Sequence, residues 1–149
     1  MKLKQKVFNH YLEVINDKVA LLQQVLSDLK ESGTNETKST AGDKHETALA
    51  MLQIEQANTR AQLQEMLNQK AALEKIDPDL IVSTVLNGSL VKTNRGYLFM
   101  GVALGKAVID NITVFALSPQ SPLGQKMMGL KTNDTCNINQ IEYKIESIV

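Results

Sequence analysis

The sequence predicts an α+β protein, an N-terminal antiparallel helical hairpin (coiled coil) followed by a small antiparallel sheet carrying one short helix. Three observations carry this. Apolar residues recur at heptad spacing near the start of the chain. A polar stretch rich in Gly, Ser and Thr divides that run from a second helical one. Beyond Leu80 the texture changes to short runs rich in Val, Ile and Thr.

The first helix is read from Phe8, Leu12, Ile15, Val19, Leu22, Leu26 and Leu29, whose spacing alternates between four and three residues without a gap. That is an a/d stripe, and no Gly or Pro interrupts Met1 to Glu31. At about 1.5 Å per residue such a helix reaches roughly 45 Å. The segment "ESGTNETKSTAG", Glu31 to Gly42, is expected to break it and form the connection.

A second helix is expected from Asp43 to about Lys75. Leu49, Leu52, Leu63, Met66 and Leu73 keep the heptad, while Gln56, Thr59 and Lys70 interrupt it. Ala, Gln, Glu, Leu and Met dominate its composition and favour helix. Pro78 disfavours helical geometry at Asp77 and so stops it. The division expected is a hairpin over residues 1–76, with its tip near 32–46, and a second domain over 77–149.

In the second domain "LIVSTVL", "SLVKT", "YLFMGVAL", "AVIDNITVFAL" and "IEYKIESIV" read as strands. "TNRG", Thr93 to Gly96, reads as a hairpin turn, and "KIESIV" as a closing edge strand. One helix interrupts them, starting at or near Pro122 and ending at Gly129. Two helical stripes can cover each other, and the resulting monomer is the expected state; a parallel dimer through the Phe8–Leu29 stripe is the alternative.

Composition narrows the function. Lys plus Arg equals Asp plus Glu, 16 each, which argues against direct DNA binding because nucleic-acid domains carry a basic excess. The lone Cys136 excludes an internal disulfide and a Cys-based zinc cluster, and it fits a reducing cytoplasm. No uncharged apolar run reaches the roughly 18 residues of a membrane span. Aromatics are few in the second half, which argues against an aromatic-lined peptide or base platform. The two histidines, His10 and His45, stand in no zinc pattern, and no phosphate-binding glycine loop or nucleophile elbow occurs. A self-contained enzyme is not expected, and neither is a stably bound cofactor.

Two acids stand out, Asp43 and Glu46, where the polar connection becomes the second helix. Asp-x-x-Glu is the spacing of a capping box, in which the first acid accepts a backbone N–H and the second reaches back. The same spacing also turns both acids roughly to one side of a first helical turn. Free carboxylates there suit Mg²⁺, which takes oxygen ligands and keeps water and phosphate in its shell. The two readings are compatible, since one oxygen can cap while another points outward.

Two segments resemble the bacterial transcript-cleavage factors of the Gre family (GreA/GreB). "GDKHET", Gly42 to Thr47, is similar to that family's Gly-Asp-x-x-Glu-Asn tip. "SPQSPLGQKMMGLKTND", Ser118 to Asp134, resembles its Ser-Pro-(Ile/Leu)-Gly stretch and the Gly-Asp that closes it. The resemblance implies a coiled coil that enters the secondary channel of RNA polymerase and an FKBP-like C-terminal domain that grips the channel rim. It implies Asp43 and Glu46 as tip acids assisting a Mg²⁺ in the polymerase active site, near the 3′ end of the nascent RNA. It places Ser121 and Pro122 against the rim. The family's Asn is Thr47 here, its "AEY" is "ALA", and its late Gly is Asn133. The implied function is that of an accessory elongation factor that stimulates cleavage of backtracked transcripts. The alternatives are a channel-binding regulator without cleavage and a coiled-coil interaction module.

Overall fold

The computed structural model describes residues 2–37 and 43–149, with side chains described for 2–33 and 46–149. Two long helices come first, α1 (Leu3–Thr37) and α2 (Asp43–Glu74). Six strands and one short helix follow: β1 (Leu90–Thr93), β2 (Gly96–Met100), β3 (Gly105–Ile109), β4 (Ile112–Leu117), α3 (Pro122–Met127), β5 (Thr135–Ile138) and β6 (Ile141–Ile148). This is an α+β fold. The chain forms two compact units, Val14–Lys70 and a second made of Met1–Glu13 with Ala71–Val149.

In the helical unit the two helices run antiparallel. Gln56 Nε2 donates to the Leu29 carbonyl at 3.2 Å, whereas Lys18 to Leu22 share a groove with Ala61 to Met66, so rising numbers on α1 meet falling numbers on α2. The expected stripe turns inward: Ile15 and Val19 are buried and Leu22, Leu26 and Leu29 are half-buried. On α2 the heptad passes through its polar positions unbroken. Thr59 is buried and Gln56 half-buried, in line with Leu52, Leu63 and Met66. The Thr59 hydroxyl is satisfied by its own helix, donating to the Glu55 carbonyl at 2.8 Å.

The first helix does not break at Glu31. It runs through Gly33 to Thr37, leaving a shorter connection than the sequence suggested. A glycine costs a helix roughly 1 kcal/mol relative to Ala, which an already propagated helix absorbs. A Cβ on Gly33 would make an ordinary 3.6 Å contact with Gln56 Nε2, so no clash requires glycine there.

The sheet has the order β3-β4-β2-β1-β6-β5. It is mixed rather than wholly antiparallel, because β4 lies parallel to β2, with Tyr97 opposite Val114 and Met100 opposite Leu117. All other neighbours are antiparallel. The turn read at "TNRG" joins β1 to β2. Two further turns divide runs that the sequence joined or left unread. Asp110 and Asn111 both have positive φ, 51° and 64°, and Asn139 and Gln140 have 49° and 66°. Consecutive positive φ is what a two-residue hairpin between twisted strands requires, and Asp and Asn tolerate it best among non-glycine residues.

Two strand expectations are corrected. "KIESIV" is not an edge: β6 lies between β1 and β5, and the edge is the short β5, "TCNI". The Asn139–Gln140 turn folds β5 back onto β6 and covers it. "LIVSTVL" forms no named strand. Its backbone bonds go to the loop after α3 instead, from Val85 N to Leu130 O at 2.9 Å and from Gly129 N to Val85 O at 2.8 Å. Leu80 and Ile81 are consequently exposed, while Val85 enters the core with Val91, Leu98, Met100, Met127 and Ile145.

Near the sheet the buried face of α1 departs from the heptad. Val7 and Tyr11 are fully buried, and Phe8 and Leu12 only half-buried. The Tyr11 ring lies against Phe99 of β2. Lys4 is also buried and donates from Nζ to the Leu80 carbonyl at 2.6 Å. Burial lowers the pKa of this amine, and the Asp77 carboxylate partly offsets the effect.

Candidate functional site

The tip acids lie at the start of α2, which begins at Asp43. The side chains of Asp43 and His45 fall outside the described residues, as do residues 38–42, so the capping geometry expected there lies outside them too. Glu46 is exposed on the first turn, and among the described residues no hydrogen bond or ion pair engages its carboxylate. A lone described carboxylate supplies one or two oxygens, whereas Mg²⁺ demands six ligands. No group of three or more His, Cys, Asp or Glu able to hold a metal occurs among the described residues.

The second candidate region is fully described. Ser121 caps α3: its Oγ accepts from the Gly124 N–H at 3.0 Å and donates to the Ser118 carbonyl at 2.7 Å. Pro122 follows at the first helical positions, where its missing N–H leaves no bond unmade. This tight corner leaves no room at Gly124. A Cβ there would stand 2.0 Å from the Ser118 carbonyl oxygen and 2.8 Å from Ser121 Oγ. Ser118 itself holds the preceding loop, accepting the Gln120 N–H at 3.1 Å.

The sequence singled out Ser121 and Pro122 but not what surrounds them. Both line an open groove of about 450 Å³ whose other walls include Arg95, Phe115, Ile141 and Tyr143. Phe115 is 40% exposed and Ile141 39%. Arg95 lies over the Tyr143 ring, its guanidinium carbon 5.9 Å from the centroid, and donates from Nε to the Glu142 carbonyl at 2.8 Å. Scarce as aromatics are, two of them converge on one concave surface. No local motif signals this, because Arg95, Phe115 and Tyr143 come from a turn and two strands that only the sheet order brings together.

Asn133, where the resemblance has glycine, takes φ 76°. Asn is the side chain that best tolerates the left-handed region, so the backbone can keep that turn without glycine. Its N–H donates to the Ile145 carbonyl at 2.8 Å, and the neighbouring Asp134 carboxylate accepts the Lys131 N–H at 2.8 Å. Cys136 is half-buried on β5 with its sulfur 3.3 Å from that of Met127. Burial pushes its thiol pKa up, and Lys126 partly offsets this, so it is a packing residue rather than a nucleophile.

No helix among the described residues is long and apolar enough to cross a membrane. No family model matches the chain. No curated protein matches it either. Among solved structures it is similar to the transcription factor Gfh1, with 15% identity over 99% of this chain and 94% of that one. The TM-score is 0.33, too low for fold or activity to be inferred from the likeness.

Proposed function

We propose that this chain is an accessory factor of RNA polymerase that enters the secondary channel with its helical hairpin and promotes cleavage of backtracked transcripts. The observation that carries this reading is positional. Asp43 and Glu46 stand at the start of the second of two long antiparallel helices, and the Ser121–Pro122 corner follows on a separate sheet-bearing unit. That order matches the two sequence segments that resemble the Gre family.

The chain's own contribution is binding and positioning. The exposed Glu46, with Asp43 beside it in sequence, would add carboxylate oxygens to a Mg²⁺ whose remaining ligands the polymerase supplies. A second metal in phosphodiester hydrolysis stabilises the attacking and leaving oxygens. A carboxylate not used on the metal can hold a water and accept its proton. Ser121, Pro122 and the apolar walls beside them would bear on the channel rim, while the tip would reach the 3′ end of the nascent RNA only indirectly, through the polymerase. Such a factor has no turnover of its own, holds no resident cofactor and works in the cytoplasm.

A second reading, a channel-binding regulator without cleavage, is favoured by one observation: Thr47 and "ALA" replace the Asn and the aromatic-bearing "AEY" of the resembling tip. One experiment separates the two. A stalled, backtracked elongation complex with cognate polymerase is incubated with the protein, and the RNA 3′ end is followed. Cleavage is expected, with Asp43→Asn and Glu46→Gln abolishing it while binding persists. Cleavage at full rate by both variants would sink the tip-acid mechanism. Binding without cleavage by the parent protein selects the regulator, and no binding at all removes both readings.

A further inference from the structure

The groove beside Ser121 and Pro122 is apolar, and its charge has one sign. Leu117, Leu123 and Ile138 line it together with the part-exposed Phe115 and Ile141. Arg95 is the one charged lining residue among those described. Its Nε is engaged by the Glu142 carbonyl and its guanidinium lies over the Tyr143 ring. Among the described residues neither Nη has an acceptor and no carboxylate pairs with it. The guanidinium is thus held at one end and open at the other, which suits it to a carboxylate. Two more cations border the groove. Lys106 stands opposite Phe115 in the β3–β4 register, so both side chains rise from one face of the sheet. Lys126, on α3, donates from Nζ at 2.8 Å to the Asn137 carbonyl, next to the lining residue Ile138.

The acids of this unit turn elsewhere. Glu142 lies between the lining residues Ile141 and Tyr143, and strand alternation sends its side chain to the opposite face. Glu146 pairs with Lys92, and Asp110 with Lys6 of α1. Glu13 is on α1, which meets the opposite face through Tyr11 and Phe99. Glu74, Asp77 and Asp79 lie at and after the end of α2, where Asp77 faces Lys4 and Asp79 accepts from Gln5. Asp134 accepts the Lys131 N–H in the loop beyond the C-terminal end of α3, whereas the groove is at the Pro122 end. In a chain of zero net charge, three cations with no facing acid are a local excess.

We propose that this groove binds an acidic segment of a partner protein. An apolar side chain of that segment lies against Phe115 and Ile141, and a carboxylate closes on the open end of Arg95. Lys106 and Lys126 face the flanking acids. Charge complementarity selects this occupant, and the apolar walls give it a place to bury a side chain. A nucleic acid fits less well. The Ser121 hydroxyl is engaged by its own corner and Arg95 covers one face of Tyr143, so a base finds little to pair with or stack on. The inference rests on reading this groove as a protein-contact surface, and it adds what that protein must present.

Titration of the isotope-labelled full chain, followed by NMR, tests this. The probe is a blocked peptide with glutamates on both sides of Leu-Phe-Leu, added from about 0.05 to about 5 mM, a range that spans the weak affinity of a short peptide. Saturable shifts at Phe115, Ile141 and Tyr143 are expected. Affinity should be at least about tenfold above that of a twin with lysines in place of the glutamates. Arg95→Glu should weaken the glutamate peptide at least about tenfold and strengthen the lysine twin, and Phe115→Ala should weaken both. Arg95 and Phe115 are both exposed, and circular dichroism checks that the variants fold. Equal affinity for the two peptides overturns the proposal, as does the absence of shifts throughout the range. Tighter binding of an oligothymidylate at the same residues overturns it too. So do shifts of these resonances on diluting the protein alone, which would put a second copy in the groove. Failure of the peptides, with polymerase binding still weakened by Phe115→Asp, removes the acidic partner and leaves the rim contact standing. Recognition of the glutamate peptide, with polymerase binding indifferent to Phe115→Asp, upholds the proposal and detaches the groove from the polymerase.

Discussion

The Tyr11 ring lies parallel to that of Phe99, with centroids 6.0 Å apart and planes 2° from coincidence. Its hydroxyl donates toward the Gly105 carbonyl at 2.8 Å and the Val114 carbonyl at 3.2 Å. One side chain thus ties the start of α1 to β2, β3 and β4 at once. Tyr11→Phe should keep the stacked ring and lose the hydroxyl bond, costing about 0.5–1.5 kcal/mol. Tyr11→Ala also opens a cavity under Phe99 and should cost about 3–5 kcal/mol. Urea denaturation of the two variants checks the order; equal losses would mean the ring contributes nothing beyond its hydroxyl.

The same burial sets a pH dependence. It pushes the Tyr11 phenol pKa up to about 12, a backbone hydrogen bond with Ala116 offsetting part of the rise. A group whose pKa is raised on folding contributes stability that is complete below its unfolded pKa, about 10 for Tyr, and is lost as pH climbs through the folded value. Stability should therefore fall between pH 10 and about 12, and Tyr11→Phe should flatten that fall. Thermal melts across this window, with phenolate absorbance as the titration readout, measure both. A parent and variant with the same alkaline slope would contradict the assignment.

At the α3 corner, Ser121→Ala should cost about 0.5–2 kcal/mol through the lost N-cap bond to Gly124. Gly124→Ala should cost more, because its Cβ would sit 2.0 Å from a backbone oxygen that cannot move without unmaking the corner. The comparison has a direction that a simple helix-propensity argument reverses, since Ala is the better helix former by roughly 1 kcal/mol. Chemical denaturation of both variants decides it.

The heptad residues of α1 revealed the seam because Ile15 and Val19 are buried where the spacing put them. The same spacing missed Val7 and Tyr11. In the first turns the buried face follows the sheet, and a heptad count has no term for a sheet. On α2 the polar Gln56 and Thr59 looked like interruptions, yet they hold seam positions because each hydroxyl or amide finds a backbone carbonyl. The Thr93–Gly96 turn was legible from its glycine, whereas the Asp110–Asn111 and Asn139–Gln140 turns lack one and joined or hid strands. The groove beside Ser121 was not legible at all. Phe115 and Tyr143 meet there only because of the strand order, which depends on nonlocal pairing.

The buried polar seam is open to improvement. Thr59 is 8% exposed and, among the described residues, its hydroxyl bonds only the Glu55 carbonyl of its own helix. That carbonyl already serves the α-helical ladder, so removing the hydroxyl strands no group. Thr59→Val should raise stability by about 0.5–1 kcal/mol, the value of about one buried methyl group. An unchanged or lowered denaturation midpoint would show that the hydroxyl has a role in the seam beyond its own turn.

The groove at Ser121 and Pro122 gives a test of polymerase binding that leaves the tip untouched. Phe115 is part-exposed, on β4, and faces that groove. Phe115→Asp puts a charge where an apolar partner surface would bear, yet the site is open enough for the carboxylate to stay hydrated. The fold should lose no more than about 1 kcal/mol. If the groove meets the channel rim, affinity for the core polymerase should fall about tenfold or more, with cleavage at saturating protein unchanged. Lys75→Glu, exposed just after α2 and not among the residues lining the groove, is the control. A Phe115→Asp protein that binds as tightly as the parent would detach the groove from the polymerase contact and leave the hairpin as the sole anchor.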